Sequence, residues 1–262
     1  MVVTKNQLAV AGSVVLLLAI VVAVKMVWFP SVAETFFQLD DQQLEKAPAH
    51  VLILRPTHFA TSRRSGCFEM PSRSWFGRYN TNRMRMVGRD VSLAEVIAMA
   101  YQCPVSRVVL PPIVPTNHFD FLVTVTGRSV ERFRATVKNK LGYTAHWQEH
   151  DADVLVLKVR NPNSPGLKPS SAGKENFTYN VGKLYFRHAS LRWIIRMAEY
   201  QFKQPVIDKT GLTGFYDFTV VSEGPGRRNP TDEAFENSLA EMGLALISDS
   251  ETMQMMVVEE TR

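Results

Sequence analysis

An aspartate followed by Lys-Thr-Gly, at Asp208-Lys209-Thr210-Gly211, has the residue types to accept a phosphoryl group. That chemistry also needs a cradle for nucleotide phosphates, and the sequence contains no glycine-rich phosphate loop. The same residues suit a tight turn ahead of a strand from Tyr216, with Gly211 and Gly214 able to take positive φ. Asp217 and Asp120 each stand between aromatic residues, in Tyr216-Asp217-Phe218 and Phe119-Asp120-Phe121. On a strand the flanking rings share one face and the aspartate takes the other, so both carboxylates are expected on the exposed face. Two single acids in separate segments do not form the carboxylate pair of a glycoside hydrolase. His146 and His150, followed by Asp151 and Asp153, could place two imidazoles on one sheet face for a metal; equally, they are the polar residues that a turn between two strands collects. No serine, cysteine or histidine falls in a nucleophile motif. These residues predict no catalytic group, no resident metal and no cofactor.

The other chemically distinctive stretch runs from Arg55 to Arg89. It holds Arg55, Arg63, Arg64, Arg73, Arg78, Arg83, Arg85 and Arg89, no lysine, and Glu69 as its one acid. Its charge is therefore +7, which leaves the rest of a chain of net charge +5 at −2. Phe59, Phe68, Trp75, Phe76 and Tyr79 are interleaved. Arginine with aromatics can bind nucleic acid through phosphate contact and stacking. An exported protein rarely meets nucleic acid, so lipid headgroups or anionic cell-wall polymers are the expected targets. The binding surface would be Arg63, Arg64, Arg73, Trp75, Arg78, Arg83 and Arg85. The alternative is a solvated loop whose arginines pair with acids of the body.

Export is read from the first 33 residues. Leu8 to Val24 carries no charge, and the apolar character resumes after Lys25 through Phe29. As one helix, Leu8 to Phe29 would be about 33 Å long, enough to cross the hydrocarbon core. Lys25 could snorkel and Trp28 suits the interface. The competing reading is a cleaved signal peptide ending near Ser31-Val32-Ala33. A single-pass anchor in a bacterial inner membrane, with the body outside the cytoplasm, is the favoured expectation. Cys67 and Cys103 rule out a disulfide-rich scaffold and leave one bridge open.

An internal repeat organises the remainder. Arg89-Asp90-Val91-Ser92-Leu93 through Ala100 matches Arg187-His188-Ala189-Ser190-Leu191 through Ala198 at a constant offset of 98. Phe119-Asp120-Phe121 then matches Tyr216-Asp217-Phe218, Leu141-Gly142 matches Met242-Gly243, and Val154 to Val159 matches Met255 to Val258. The second copy carries an extra Gly/Pro/Arg-rich loop from Gly224 to Pro230. Leu93, Val96, Ile97, Ala100 and Tyr101 form a helical stripe, repeated by Leu191, Ile194, Ile195, Ala198 and Phe202. Ser92 and Ser190 are expected N-caps, with Glu95 completing a capping box in the first copy. Val130, Phe133, Val137 and Leu141, or Phe235, Leu239 and Met242, mark a second helix that stops at Gly142 or Gly243. Strands are expected at Met84 to Gly88, Phe119 to Thr126, Tyr143 to Glu149 and Asp153 to Val159. The second copy repeats them at Lys183 to Phe186, Tyr216 to Ser222, Ala245 to Ile247 and Met253 to Val258. Short strands near Arg107 to Leu110 and Val206 to Ile207, and one at His50 to Arg55, are added.

The fold expected is α+β: a transmembrane helix, then two tandem β-α-β-β-α-β-β units with helices on one face of small mixed sheets. The segments would be 1–33 (anchor or signal peptide), 34–82 (arginine-rich extension), 83–160 and 183–262 (the repeats), and 161–182. This last is a Pro/Ser/Gly/Asn-rich linker.

The stretch from Pro205 through Asp208-Lys209-Thr210-Gly211-Leu212-Thr213-Gly214-Phe215-Tyr216-Asp217-Phe218 resembles the signature of the soil-associated bacterial protein family, a domain of unknown function. The likeness extends to Val51-Leu52-Ile53-Leu54-Arg55-Pro56, to Val91-Ser92-Leu93 through Tyr101, to Phe119-Asp120-Phe121 and to Gly166-Leu167-Lys168-Pro169-Ser170. It covers roughly Val51 to the C-terminus. Phe215 departs from the family, which usually has a basic residue there, and the long arginine-rich insertion between Arg63 and Asn82 is a second departure. The resemblance implies exported proteins, some carrying the domain after a membrane peptidase of the antibiotic-sensor type. The element order is also similar to the short N-terminal domain of secretins and TonB-dependent transporters, at the level of fold alone. The function expected is a non-enzymatic, membrane-anchored docking module for an envelope protein or an anionic cell-wall or lipid partner. An envelope sensor with a small ligand between the repeats comes second and a hydrolase last.

Overall fold

The computed structural model describes residues 32–59, 65–73, 79–114, 116–171, 173–222 and 230–261. Contacts divide the chain into two compact units, residues 1–100 with 114–142, and residues 101–113 with 143–262. The division does not follow the repeat, because two segments of the first copy fold into the second unit.

In the first unit, helices α1 (Val32–Thr35) and α2 (Asp41–Lys46) precede strands β1 (Leu52–Pro56), β2 (Gly66–Arg73) and β3 (Tyr79–Val91). Helix α3 (Leu93–Tyr101) follows. It is started by the expected capping box: Ser92 Oγ accepts from the Glu95 N–H at 3.3 Å while Glu95 Oε2 accepts from the Ser92 N–H at 2.8 Å. Strand β5 (Phe119–Val123) and helix α4 (Ser129–Leu141) complete the unit, and Gly142 ends α4 in the left-handed conformation at φ 76°. The four strands form an antiparallel sheet in the order β1-β5-β3-β2. Helix α4 packs on β1 and β3. Phe37, Leu44 and Ala47, from the segment bearing α1 and α2, bury against Val87 and Leu122. Gly88 is required by close approach, since a Cβ there would lie 2.1 Å from the Phe121 ring.

The second unit takes the 3-10 turn Val105–Arg107 and strand β4 (Val108–Val109) from the first copy, then the long strand β6 (Tyr143–Val159). The second copy follows as β7 (Lys168–Pro169), β8 (Asn176–Asn180), β9 (Lys183–Ala189), α5 (Arg192–Phe202), β10 (Val206–Asp208), β11 (Tyr216–Val221), α6 (Asp232–Glu241) and β12 (Leu244–Glu260). One sheet has the order β7-β11-β9-β8, matching strand for strand the sheet of the first unit. The other has the order β10-β6-β12-β4. There β6 and β12 pair antiparallel over their whole length, from Tyr143↔Glu260 to Val159↔Leu244. Each copy also lends its short strand to the other's long one: β10 runs parallel to β6 and β4 parallel to β12. Arg107 of the first copy reaches the buried Glu199 of the second with Nε at 3.0 Å and Nη2 at 2.8 Å.

Two expectations are corrected. No helix among the described residues is long and apolar enough to cross a membrane. The longest, α4, has 13 residues and would rise about 20 Å, short of the hydrocarbon core. The expected span, Leu8 to Phe29, lies outside the described residues. The architecture of a transmembrane helix followed by two tandem β-α-β-β-α-β-β units thus gives way to an α+β fold with three four-stranded sheets among the described residues. Neither copy closes its own third sheet, because β6 and β12 are single strands whose hydrogen-bonding partner is the other copy. Ser190 is not the cap of α5, whose N-cap is Leu191 and has no side-chain cap bond.

Candidate functional site

The two matching sheets share an irregularity. Along β3 the ladder steps from Gly88↔Phe121 to Val91↔Phe119, and along β9 from Phe186↔Phe218 to Ala189↔Tyr216. Each bulge inserts one residue, and Asp90 and His188 take left-handed φ of 53° and 48° there. The N–H turned out of the ladder needs another acceptor. Asp120 Oδ1 accepts from Asp90 N at 3.0 Å, and Asp217 Oδ1 from His188 N at 2.8 Å. The paired aspartates are thus the acceptors that hold two bulges.

Cations flank each carboxylate. Arg55 is the cross-strand neighbour of Asp120, and its Nε lies 3.6 Å from Oδ2. Lys168 is the corresponding neighbour of Asp217. Arg89 and Arg187 occupy equivalent places on β3 and β9, and Arg187 Nε stands 3.9 Å from Asp217 Oδ2. The surroundings then diverge. Asp120 is fully buried and also accepts from Thr57 Oγ1 at 2.8 Å and from the His58 N–H at 2.9 Å. The expectation of an exposed Asp120 is therefore wrong, because the segment after β1 folds over the carboxylate. Asp217 stays one-third exposed and lines a concave pocket of about 390 Å³ with Lys168, Arg187, Thr219, Glu241 and Gly166.

The Asp208-Lys209-Thr210-Gly211 segment closes on itself. Asp208 Oδ1 accepts from Thr210 N at 2.9 Å and Thr210 Oγ1 at 2.6 Å, and Thr210 Oγ1 accepts from the Leu212 N–H at 3.1 Å. Gly211 and Gly214 have φ of 67° and 110°, and the Tyr216 hydroxyl donates to the Thr213 carbonyl at 3.2 Å. Lys209 pairs with Glu251, and that hydrogen bond holds the lysine above its ordinary value.

His146 and His150 lie on the exposed middle of β6, not in a turn. His146 Nδ1 stands 4.0 Å from Glu259, while His150 Nδ1 is 2.7 Å from the Asp151 carbonyl. Among the described residues no three His, Cys, Asp or Glu side chains gather as a metal site. Cys67 and Cys103 are half-buried thiols.

Of the arginine-rich surface, Arg63, Arg64, Trp75 and Arg78 lie outside the described residues, Arg73 falls in β2 and Arg83 in β3. Arg85 Nη1 donates to the carbonyls of Leu44 at 2.9 Å and Ala47 at 2.7 Å, closing the end of α2. Burial pushes its guanidinium below the ordinary arginine value, opposed in part by Glu45.

Residues 94–261 match a family described as a protein of unknown function, DUF3738. The chain belongs to that family. The DUF3738 match takes in both bulge aspartates, α4, α6, the exchanged sheet and the pocket. No curated protein and no solved structure matches the chain.

Lys168 and Arg187 were not singled out by sequence reasoning, although the signal was present. Arg55-Pro56-Thr57 and Lys168-Pro169-Ser170 stand in the same register against Asp120 and Asp217. That match extends the repeat upstream to β1 and β7.

Proposed function

We propose that this DUF3738 chain is a non-enzymatic binding module acting outside the cytoplasm, which docks an envelope protein by adding a strand to the edge of its second-copy sheet. The observation that carries the reading is β8. It is hydrogen-bonded to β9 on one side and is the last strand of its sheet among the described residues. Its sequence, Asn176-Phe177-Thr178-Tyr179-Asn180, has no charge and no proline, the devices that usually blunt an edge. Such an edge offers main-chain groups for a partner strand, with alternate side chains for specificity. Phe177 is 54% exposed while it packs against Phe186 and Trp193, which stiffens the strand without covering it. Docking rather than catalysis is supported by Asp120 and Asp208, whose oxygens serve the chain's own N–H and hydroxyl donors. The apolar run from Leu8 to Phe29 supports export of the body.

The test places a photo-crosslinking residue at Asn180 of the full chain in a bacterial envelope. A repeatable protein adduct that disappears in the Thr178→Lys variant is expected, because a lysine on the edge opposes strand pairing. Adducts that persist in that variant would sink the edge reading.

A further inference from the structure

Arg55, Asp120 and Arg89 occupy in the first copy the places that Lys168, Asp217 and Arg187 occupy in the second. In the first copy these cations are covered by the chain itself. Arg55 Cζ lies 5.0 Å from the centre of the Phe37 ring, and Arg89 Cζ lies 4.1 Å over Phe59. Arg89 Nη1 reaches the Phe37 carbonyl at 3.5 Å, and Phe37 is fully buried. The cations thus meet aromatic rings and main-chain carbonyl groups of a short covering segment. In the second copy Lys168 and Arg187 are exposed, and they border the 390 Å³ pocket. That volume is at the low end of the roughly 300–1,000 Å³ typical of ligand sites.

We propose that this pocket receives a peptide segment of another protein, which lays an aromatic side chain between Lys168 and Arg187 and presents a main-chain carbonyl to Arg187. The cations are available for it. The Arg187 guanidinium contacts Asp217 only at 3.9 Å and its own neighbour's carbonyl, that of Phe186, at 3.2 Å. Neither contact is the bidentate pairing that would lock it. A cation over an aromatic face gains electrostatic attraction that an aliphatic side chain does not offer. Glu241 on the pocket wall favours a basic residue beside the aromatic one and disfavours an acid. The covering segment of a second copy of this chain is a poor occupant. Ile53 and Leu122, which pack with Phe37 and Leu44 in the first copy, are replaced at the pocket by Gly166 and Thr219. The occupant therefore meets a more polar floor than Phe37 does. The pocket does not include the β8 edge, so either site can fail without the other.

The experiment pans short random peptides displayed on phage against the full chain. Enriched peptides are expected to share an aromatic residue with basic neighbours. They should bind the Lys168→Ala and Arg187→Ala variants roughly three- to thirtyfold more weakly, the range of a cation over a ring. They should bind the Thr178→Lys variant unchanged. Both substituted side chains are exposed, and circular dichroism of each variant checks the fold. The proposal is overturned by an absence of enrichment, by enriched peptides without an aromatic, or by equal binding to both alanine variants.

Discussion

The two copies place the same aspartate at the same bulge and treat it in opposite ways. Asp120 receives three hydrogen bonds, from Asp90, Thr57 and His58, and is sealed from water beneath the segment after β1. Asp217 receives the one bond from His188 and keeps an open side. A repeated sequence element therefore specifies the backbone device, the bulge and its acceptor, whereas the chain outside the repeat decides whether the site becomes core or surface. The largest effect should follow from removing the acceptor. Asp120→Ala leaves the part-buried donors of Thr57, His58 and Asp90 and the Arg55 charge without their partner, a loss of about 3 kcal/mol. Asp217→Ala, with water at hand to replace one bond, should cost about 1 kcal/mol. Urea denaturation of the two variants checks the contrast, and equal costs would mean that the cover over Asp120 contributes nothing.

The contrast also shows what could be read from sequence. The helices α3 and α5, the paired aspartates and the glycine stops were legible because each is a local pattern of side chains. The long strands were not. His150 through Ala152 reads as the turn between two strands, yet β6 runs straight through it. Its partner β12 supplies every hydrogen bond across that stretch, while the side chains there are almost all exposed, so no alternation betrays the strand. Strands β7 and β8 lie in what reads as a linker, since an edge strand beginning and ending in Asn carries little apolar signal. The burial of Asp120 depends on residues more than sixty positions away, which no local pattern reports.

The floor beneath the bulge sharpens the comparison at a second position. Gly88 admits the Phe121 ring, which packs on Phe133 with centroids 4.9 Å apart. In the second copy Phe186 stands where Gly88 would, and it stacks on Phe218 at 4.6 Å. The second copy thus keeps a buried ring at the place of Phe121, as Phe218, and adds a second from β9 where the first copy has glycine. Gly88→Ala should therefore be over-packed and cost about 1–3 kcal/mol. Its thermal midpoint falls accordingly, unless Phe121 can change rotamer without loss.

The smallest expected effect lies at a turn whose sequence differs between the copies. After β4 the first copy has Leu110-Pro111-Pro112-Ile113, with Ile113 almost wholly exposed, and after Val206-Ile207 the second has the hydrogen-bonded turn at Asp208. Asp208 and Lys209 are the ionisable additions, and the bond of Lys209 to Glu251 raises its folded-state value. A group raised on folding stabilises the protein below its unfolded value and loses that contribution as pH rises through the folded one. The wild type should therefore hold a slight advantage over Lys209→Met at neutral pH, and the advantage should vanish above the raised lysine value. The two denaturation midpoints followed from pH 7 into the alkaline range decide it: a gap that persists when the lysine is neutral would trace the advantage to the lysine's stem and not to its charge, and no gap at neutral pH would leave the turn's stability to Asp208, Thr210 and the glycines alone.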